Sequence, residues 1–569
     1  MAIVKLKKAD VVVIGLGAVG GVGVLPLAKA GMKVVGLEAG PNLDPRAYPS
    51  DEILLSVRNH NGKKQNQEVP TWRRNASQVA APARQFGTMM NAVGGTSLHY
   101  NSQSWRLDPW TFQQRSRVTA RYGAGALPPG TTLEDMPFTY DDVEPYYEKV
   151  EWAIGVAGTA GNLNGVKNAE GNVLEGPRKK GYPMEPLRYS GWQELLKPAA
   201  LRLGWNPFRA PSAVVTKLGF QNRASCSYCG FCSGIGCHSG AKSSTNVSTI
   251  PQALATKNLE VVPDARVYHI NVGSDGRVSG VLYLKGGVQY FQPASVVFLA
   301  SFTWENTRLL LLSASKAFPN GLANNFGQVG RHYFTHAGPT TFGLFTMATN
   351  RTNGQGSQAL HVDNWEADNF DHTGLGFIGG GSIDGRSEQK PIGFVRGGVP
   401  PTVPLFGSAW KAWVHANINK VGSIGSGGGT NSLPYEQFSM DLDPTYKDSL
   451  GFPVIRITYD YTDTENRMHT YLLDKQKQWL LEAGATQTWS SLPVPNPVAV
   501  HSFGGTRAGN DQRTSVADAF GMAHEVPNLG FMGASTMGAA GGHNPTLTAQ
   551  ALAWRTADHV IKNWSTIAA

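Results

Sequence analysis

A glycine-rich turn near the N-terminus constrains the fold of this chain more than any other feature. Residues 11–14 form a short β-branched run typical of a buried parallel strand, and the turn GLGAVG follows directly at 15–20. Residues 22–30 then favour a helix, and residues 34–37 favour a second strand that ends at Glu38. A glycine pattern alone is weak evidence, but strand, turn, helix, strand and acid in this register predict a dinucleotide-binding βαβ unit.

Each part of this fingerprint has a chemical reason. Glycines let the chain turn tightly and let a pyrophosphate approach the start of the helix, where free amides and the helix dipole favour negative charge. Glu38 is placed to accept a hydrogen bond from a ribose hydroxyl, and its charge disfavours the 2′-phosphate of NADP. We therefore expect Gly15, Gly17, Gly20 and Glu38 to bind the cofactor.

A second glycine-rich segment lies at residues 84–106, which read RQFGTMMNAVGGTSLHYNSQSWR. The pair Gly94 and Gly95, beside two small hydroxyl residues, predicts backbone laid closely against a cofactor. His99 lies just beyond this pair, and taken alone it is equally well explained as an ordinary hydrogen-bonded histidine.

The four cysteines of the chain all fall in the loop at 226–242, which reads CSYCGFCSGIGCHSGAK. A disulfide framework would tie distant segments together, so this clustering predicts a local metal site or iron–sulfur cluster. Three cysteines at successive steps of three favour iron and sulfide over zinc, which usually takes two Cys pairs from separate loops. Structural zinc and a nest of free thiols stay as alternatives for Cys226, Cys229, Cys232 and Cys237.

The composition excludes several classes of protein. Charged residues make up 16% of 569 residues, and 67 glycines suit a compact chain with many tight turns. The net charge is +9, but the basic residues are scattered, so we expect no nucleic-acid partner and interpret the charge as a solvated surface or a contact with acidic partners. No apolar run is long enough to span a bilayer, and the N-terminal apolar run is better explained as the first strand than as a signal peptide.

Residues near the C-terminus add a family resemblance to these signals. The segments HSFGGTRAG from 501 and NLGFMGASTMGAAGGHNPTLTAQALAWR from 528, with the fingerprint and residues 84–106, resemble the glucose-methanol-choline (GMC) oxidoreductases. The cysteine loop followed by GAKSSTNVSTIP is similar to the flavoprotein subunits of bacterial gluconate 2-dehydrogenase and fructose dehydrogenase within that family. The resemblance implies an FAD-dependent enzyme that oxidises an alcohol group of a sugar, sugar acid or polyol.

The resemblance also implies roles for single residues. His501 matches the first active-site histidine of the family and would take the hydroxyl proton, while Asn544 would hydrogen-bond the substrate oxygen. Gly94 and Gly95 would lie along the flavin. The run from Gly94 to Tyr100 is similar to the segment of pyranose oxidases in which histidine bonds covalently to the flavin, so His99 is a candidate for that link, with Tyr100 in place of the usual Trp.

Electrons must then leave the flavin. The resemblance favours a [3Fe-4S] over a [4Fe-4S] cluster in the cysteine loop, a small subunit, and a c-type cytochrome subunit, since the chain has no haem-attachment motif of its own. It places the protein on the periplasmic face of the inner membrane, held there only through a partner, and in the cytoplasm if it acts alone. The alternatives are an oxygen-using oxidase like pyranose oxidase, with the cysteines as structural zinc or thiols, and an FAD-binding structural protein without turnover.

These signals predict an α/β and α+β architecture with a discontinuous Rossmann-like FAD-binding domain. The substrate domain should contain an antiparallel sheet with flanking helices, because short β-prone runs alternate there with glycine-rich turns. The last helix should start near Pro545 with Asn544 as its N-cap. The expected divisions are 1–110 (FAD, first part), 111–214 (helical insertion), 215–340 (FAD, second part, with the cysteine loop), 341–494 (substrate domain) and 495–569 (FAD, catalytic C-terminal part).

Overall fold

The structure is a computed structural model that describes residues 3–44, 50–54, 69–83 and 89–569. The strands, in chain order, are β1 Val4–Lys5, β2 Ala9–Ile14, β3 Val34–Leu37, β4 Thr71–Arg73, β5 Ala81–Pro82, β6 Asn162–Leu163, β7 Val166–Lys167, β8 Pro207–Arg209, β9 Leu259–Val262, β10 Arg266–Val272, β11 Val278–Lys285, β12 Val288–Leu299, β13 Phe334–Thr335, β14 Thr340–Leu344, β15 Leu360–Val362, β16 Ile383–Gly385, β17 Val421–Gly425, β18 Ser439–Lys447, β19 Pro453–Thr458, β20 Gln487–Ser491, β21 Ser502–Phe503 and β22 Leu529–Phe531. The α-helices are α1 Gly20–Lys29, α2 Pro109–Phe112, α3 Gln114–Tyr122, α4 Tyr140–Ile154, α5 Gly191–Arg202, α6 Thr249–Leu254, α7 Thr303–Leu312, α8 Pro391–Gly397, α9 Gly407–Asn417, α10 Asp463–Glu482, α11 Thr546–Lys562 and α12 Trp564–Ile567.

An eight-stranded sheet carries the predicted βαβ unit. Its order is β10-β11-β12-β2-β3-β9, with β1 and β22 also paired to β12. The β12-β2-β3-β9 portion is parallel, as the continuous β-branched runs predict, while β10, β11 and β12 form an antiparallel meander at one side. Because β2 and β22 come from opposite ends of the chain, this sheet is assembled from distant segments, and the predicted discontinuous Rossmann-like fold is confirmed.

A second, six-stranded sheet is antiparallel throughout, with the order β20-β14-β17-β16-β15-β8. The long helix α10 packs against it through buried Met468, Leu472 and Leu480. The predicted antiparallel sheet with flanking helices is therefore present, and β8 joins it from before the cysteine loop. Within the described ranges, no helix combines the length and the apolar character needed to cross a membrane.

Helix starts show where sequence signals succeed and where one fails. α4 begins after Thr139, whose side chain accepts from the Asp142 amide in a capping box. The last helix α11 begins one residue later than predicted, with Pro545 in the cap position and no side-chain capping bond. The prediction of Asn544 as N-cap is wrong, because its side chain is hydrogen-bonded to Trp105 and His501 instead.

Candidate active site

The two predicted glycine segments lie against each other. Gly15, at φ +91°, leaves no room for a side chain, because a Cβ there would lie 2.7 Å from the Ala300 carbonyl oxygen. A Cβ on Gly95 would lie 2.8 Å from the Gly17 Cα, and the Gly94 amide donates to the Leu16 carbonyl at 2.8 Å. Residues 84–88 of the second segment lie outside the described residues. This close backbone approach at the start of α1 is the cradle that a dinucleotide needs.

Glu38 ends β3 beside this cradle and is buried. One carboxylate oxygen accepts from the Leu16 amide at 2.9 Å and the other from the Gly40 amide at 3.0 Å, which fixes the side chain under the turn. Burial raises the pKa of Glu38 to about 7, although these amides oppose the rise. A carboxylate can accept about four hydrogen bonds, so one acceptor position is left beside the Leu16, Gly40 and Ala39 amides and fits a ribose hydroxyl.

His99 follows the 3₁₀ turn Gly95–Leu98 and is buried. Its Nε2 has no hydrogen-bond partner among the described residues, although the atom is shielded from solvent. Burial, together with a smaller contribution from the Lys242 charge, lowers the pKa of His99 to about 4, so the ring is neutral at physiological pH. A buried neutral nitrogen without a partner, directly after the Gly94–Gly95 turn, fits contact with a flavin.

The predicted catalytic residues meet although they lie 43 positions apart in the sequence. Asn544 Nδ2 lies 3.2 Å from His501 Nε2. Burial lowers the pKa of His501 to about 4, so its ring is neutral and can accept a proton. The His501 ring packs edge-on against His336, with centroids 5.5 Å apart.

Three further residues around Asn544 were missed by the sequence reasoning. Trp105 Nε1 donates to Asn544 Oδ1 at 3.0 Å, and the Trp105 ring stacks on His543 at 4.4 Å between centroids. His543 Nε2 lies 3.2 Å from Asp363, which, against the effect of burial, raises the pKa of His543 to about 9. Trp105 lies at the end of the segment 84–106 and Asp363 stands in no recognisable motif, and neither position in the sequence indicates its pairing.

The cysteine loop brings its thiols near one another without forming a ready ligand set. All four cysteines are free, and Cys229 is exposed while the other three are partly buried. Burial, with smaller contributions from the neighbouring thiols of the loop, raises the pKa of Cys226 to about 12. Backbone amides donate to sulfur at Cys226 (Tyr228, 3.4 Å) and at Cys237 (Lys242, 3.5 Å). Among the described residues, no three Cys, His, Asp or Glu side chains are grouped as they would be around a bound metal.

This loop is fastened to the segment that follows the Gly94–Gly95 turn. The Gly234 amide donates to the His99 carbonyl at 2.9 Å. The buried Lys242 ammonium donates to three carbonyls, those of Tyr100, Cys232 and Ile235, at 2.9, 2.8 and 2.6 Å. The donor chemistry of the loop, thiols with amide hydrogen bonds to sulfur, fits an iron–sulfur group, and its position is next to the predicted flavin contact.

Comparison with known proteins extends these observations. Two family models described as GMC oxidoreductase match residues 208–337 and 434–553. The chain is 32% identical to the Gluconate 2-dehydrogenase flavoprotein of Pantoea cypripedii, over 97% of this chain and 93% of the relative. It is 27% identical to the 2-methyl-1,2-propanediol dehydrogenase of Mycolicibacterium austroafricanum (98% and 96% covered) and 26% identical to the Fructose dehydrogenase large subunit of Gluconobacter japonicus (98% and 98%). A crystal structure of formate oxidase shares the fold, with a TM-score of 0.63 at 14% identity and full coverage of both chains.

Proposed function

The chain belongs to the GMC oxidoreductase family, and from that membership we propose that it is an FAD-dependent dehydrogenase that oxidises an alcohol group of a sugar, sugar acid or polyol. The observation that carries this proposal is the neutral His501 ring, whose Nε2 lies 3.2 Å from the Asn544 amide. The names of the relatives point the same way, since they include gluconate, fructose and a propanediol.

The two residues divide the proton chemistry between them. The substrate hydroxyl gives its proton to His501 Nε2, which the low pKa keeps free to accept it at neutral pH. Asn544 Nδ2 donates to the same substrate oxygen and stabilises the negative charge that develops there. FAD, when bound, takes the hydride from the carbon that carries this hydroxyl.

We propose that FAD is held by the two glycine segments and by Glu38. Gly15, Gly17, Gly20 and Glu38 hold the ADP half, and Gly94 and Gly95 run along the flavin. His99 has the buried, unprotonated nitrogen that a covalent flavin link needs, and we propose it as the attachment site. Mass spectrometry of the denatured protein tests this point: FAD that stays attached to a peptide containing His99 supports the link, and FAD released by denaturation removes it.

We further propose that Cys226, Cys229, Cys232 and Cys237 supply the thiolates of an iron–sulfur cluster, [3Fe-4S] in preference to [4Fe-4S]. Such a cluster would carry single electrons away from the flavin to a c-type cytochrome subunit. The hydrogen bonds that join the loop to the carbonyls of His99 and Tyr100 support this position for the cluster. A small subunit and the cytochrome would hold the protein at the periplasmic face of the inner membrane.

Anaerobic mixing with a panel of sugars, aldonates and polyols tests the proposed reaction. The expected result is bleaching of the flavin by at least one member of the panel, followed by reoxidation with an artificial dye. If no member bleaches the flavin, the chain is a binding protein and the proposal fails. If oxygen reoxidises the flavin as fast as the dye does, with peroxide formed, the oxidase alternative replaces the dehydrogenase.

A further inference from the structure

Asn544 can face His501 in two ways, and Trp105 selects one of them. An amide side chain presents an oxygen that accepts and a nitrogen that donates. The indole N–H of Trp105 can only donate, and it reaches Asn544 Oδ1 at 3.0 Å. The amide nitrogen must therefore face His501 Nε2 at 3.2 Å. Its other hydrogen points towards the Gly427 carbonyl at 3.5 Å.

This orientation determines which ring nitrogen of His501 carries the proton. Because Asn544 Nδ2 donates, His501 Nε2 must accept and be unprotonated. A neutral imidazole with an unprotonated Nε2 carries its one proton on Nδ1. The Nε2 atom that faces Asn544 is therefore the one that can take a proton from a substrate hydroxyl placed between the two side chains.

Trp105 is itself held rigidly. It is 3% exposed, and its ring stacks on His543 at 4.4 Å and 15°. Phe208 packs edge-on against it with centroids 5.9 Å apart, and His361 does so at 4.7 Å. His543 is in turn anchored to Asp363 at 3.2 Å. These contacts fix the ring on several sides, so the indole N–H cannot swing away from Asn544.

We propose that Trp105 is a positioning residue for the catalytic pair: it sets the orientation of the Asn544 amide and, through it, the tautomer of His501. The inference rests on the proposed function, because it gives Trp105 a role only if His501 is the base. It predicts that the indole N–H, rather than the ring, matters for catalysis.

Trp105→Phe removes the indole N–H but keeps an aromatic ring that can stack on His543. Losing the donor leaves a buried amide oxygen unsatisfied and allows the amide to flip, a cost of about 1–3 kcal/mol. The rate constant for anaerobic flavin reduction should fall by about 10- to 100-fold with KM nearly unchanged. In an Asn544→Ala background the same substitution should cause no further loss, because the two residues act as one unit.

Trp192→Phe is the matched control. Trp192 is also fully buried, and its Nε1 has no hydrogen-bond partner among the described residues. This variant should keep the wild-type rate of flavin reduction. Wild-type rates in Trp105→Phe, or losses that add to those of Asn544→Ala, would overturn the positioning role. Wild-type rates in His501→Ala would instead overturn the proposed function.

A measurement without turnover keeps the inference testable if Trp105→Phe does not fold. In protein labelled with ¹⁵N-tryptophan, one of the 14 indole N–H resonances should shift on the Asn544→Ala substitution, because that indole loses its acceptor. If no indole resonance moves, the Trp105–Asn544 hydrogen bond is absent in solution and the inference fails.

Discussion

The catalytic pair and the cysteine loop are both hydrogen-bonded to the stretch that follows the Gly94–Gly95 turn, the pair at Trp105 and the loop at His99 and Tyr100, and they differ in how their reactive atoms are held. His501 bonds to Asn544, and Asn544 bonds in turn to Trp105. The sulfurs of Cys226 and Cys237 meet backbone amides and the Ser239 hydroxyl, and in the described part of the chain no three Cys, His, Asp or Glu side chains group as metal ligands. Folding alone therefore arranges the pair, whereas the loop would reach the geometry of a ligand set only together with the cluster proposed for it.

The largest effect should come from the pair. His501→Ala removes the base, and flavin reduction by substrate should fall by about 10²- to 10⁴-fold, the usual contribution of a positioned general base. FAD content should stay at the wild-type level, since His501 is not part of the glycine cradle. Stopped-flow absorbance under anaerobic conditions measures the rate. A wild-type rate would show that another residue takes the proton.

In the cysteine loop we expect a substitution to lower the iron content and to leave flavin reduction unchanged. Lys242→Met removes the ammonium that holds three carbonyls, two of them within the loop, and iron content should fall by about 10- to 100-fold, as for other outer-sphere supports of a metal site. Flavin reduction by substrate should stay at the wild-type rate, while transfer to a cytochrome acceptor is lost. Iron and acid-labile sulfide analysis checks this, with the exposed Lys217→Met as control. If the wild-type protein contains zinc in place of iron, the proposal of an iron–sulfur cluster is wrong.

Flavin affinity should respond to the contact between the two glycine turns. Gly95→Ala places a Cβ 2.8 Å from the Gly17 Cα at a backbone φ of +53°, so the cradle must open. A cost of about 1–3 kcal/mol predicts a 5- to 150-fold weaker FAD complex by fluorescence titration of apoprotein that carries His99→Ala, in which no covalent link can form. Gly286→Ala has a similar φ of +57° but meets nothing within 4 Å, and it should bind FAD normally. If both variants bind FAD equally well, the contact between the two glycine turns does not contribute to flavin binding.

The last expected effect is a pH dependence of stability at His543. Asp363 holds the pKa of His543 at about 9, above the ordinary value of 6.5, because the charged pair offsets the cost of burial. The stabilisation is therefore complete below pH 6.5 and is lost as the pH rises through 9. It amounts to something on the order of 3 kcal/mol. Urea unfolding between pH 6 and 10 should show a steeper loss in the wild type than in His543→Gln, and the exposed His415→Gln should keep the wild-type slope.

Much of the fold was predictable because its signals are local. The turn GLGAVG, the strands around it and the Thr139 capping box depend on residues within one or two helical turns of each other. The βαβ unit and the antiparallel sheet followed from these local patterns. The glycine segments at 15–20 and 94–95 were recognised separately, and only the structure shows that their backbones touch.

The surroundings of the catalytic pair were not predictable for the opposite reason. Trp105 and Asn544 are 439 positions apart, and His543 pairs with Asp363 across 180 positions. Such contacts depend on how whole segments pack, and no spacing in the sequence encodes them. The Asn544 cap was predicted wrongly because the local rule ignored these distant partners, which take up its side chain.

Anaerobic flavin reduction, compared between wild type, His501→Ala and Lys242→Met, tests the division between pair and loop most directly. The account predicts that a sugar, sugar acid or polyol bleaches the flavin equally fast in the wild type and in Lys242→Met, and about 10²- to 10⁴-fold more slowly in His501→Ala. Bleaching that is slowed in Lys242→Met but unaffected in His501→Ala would contradict it.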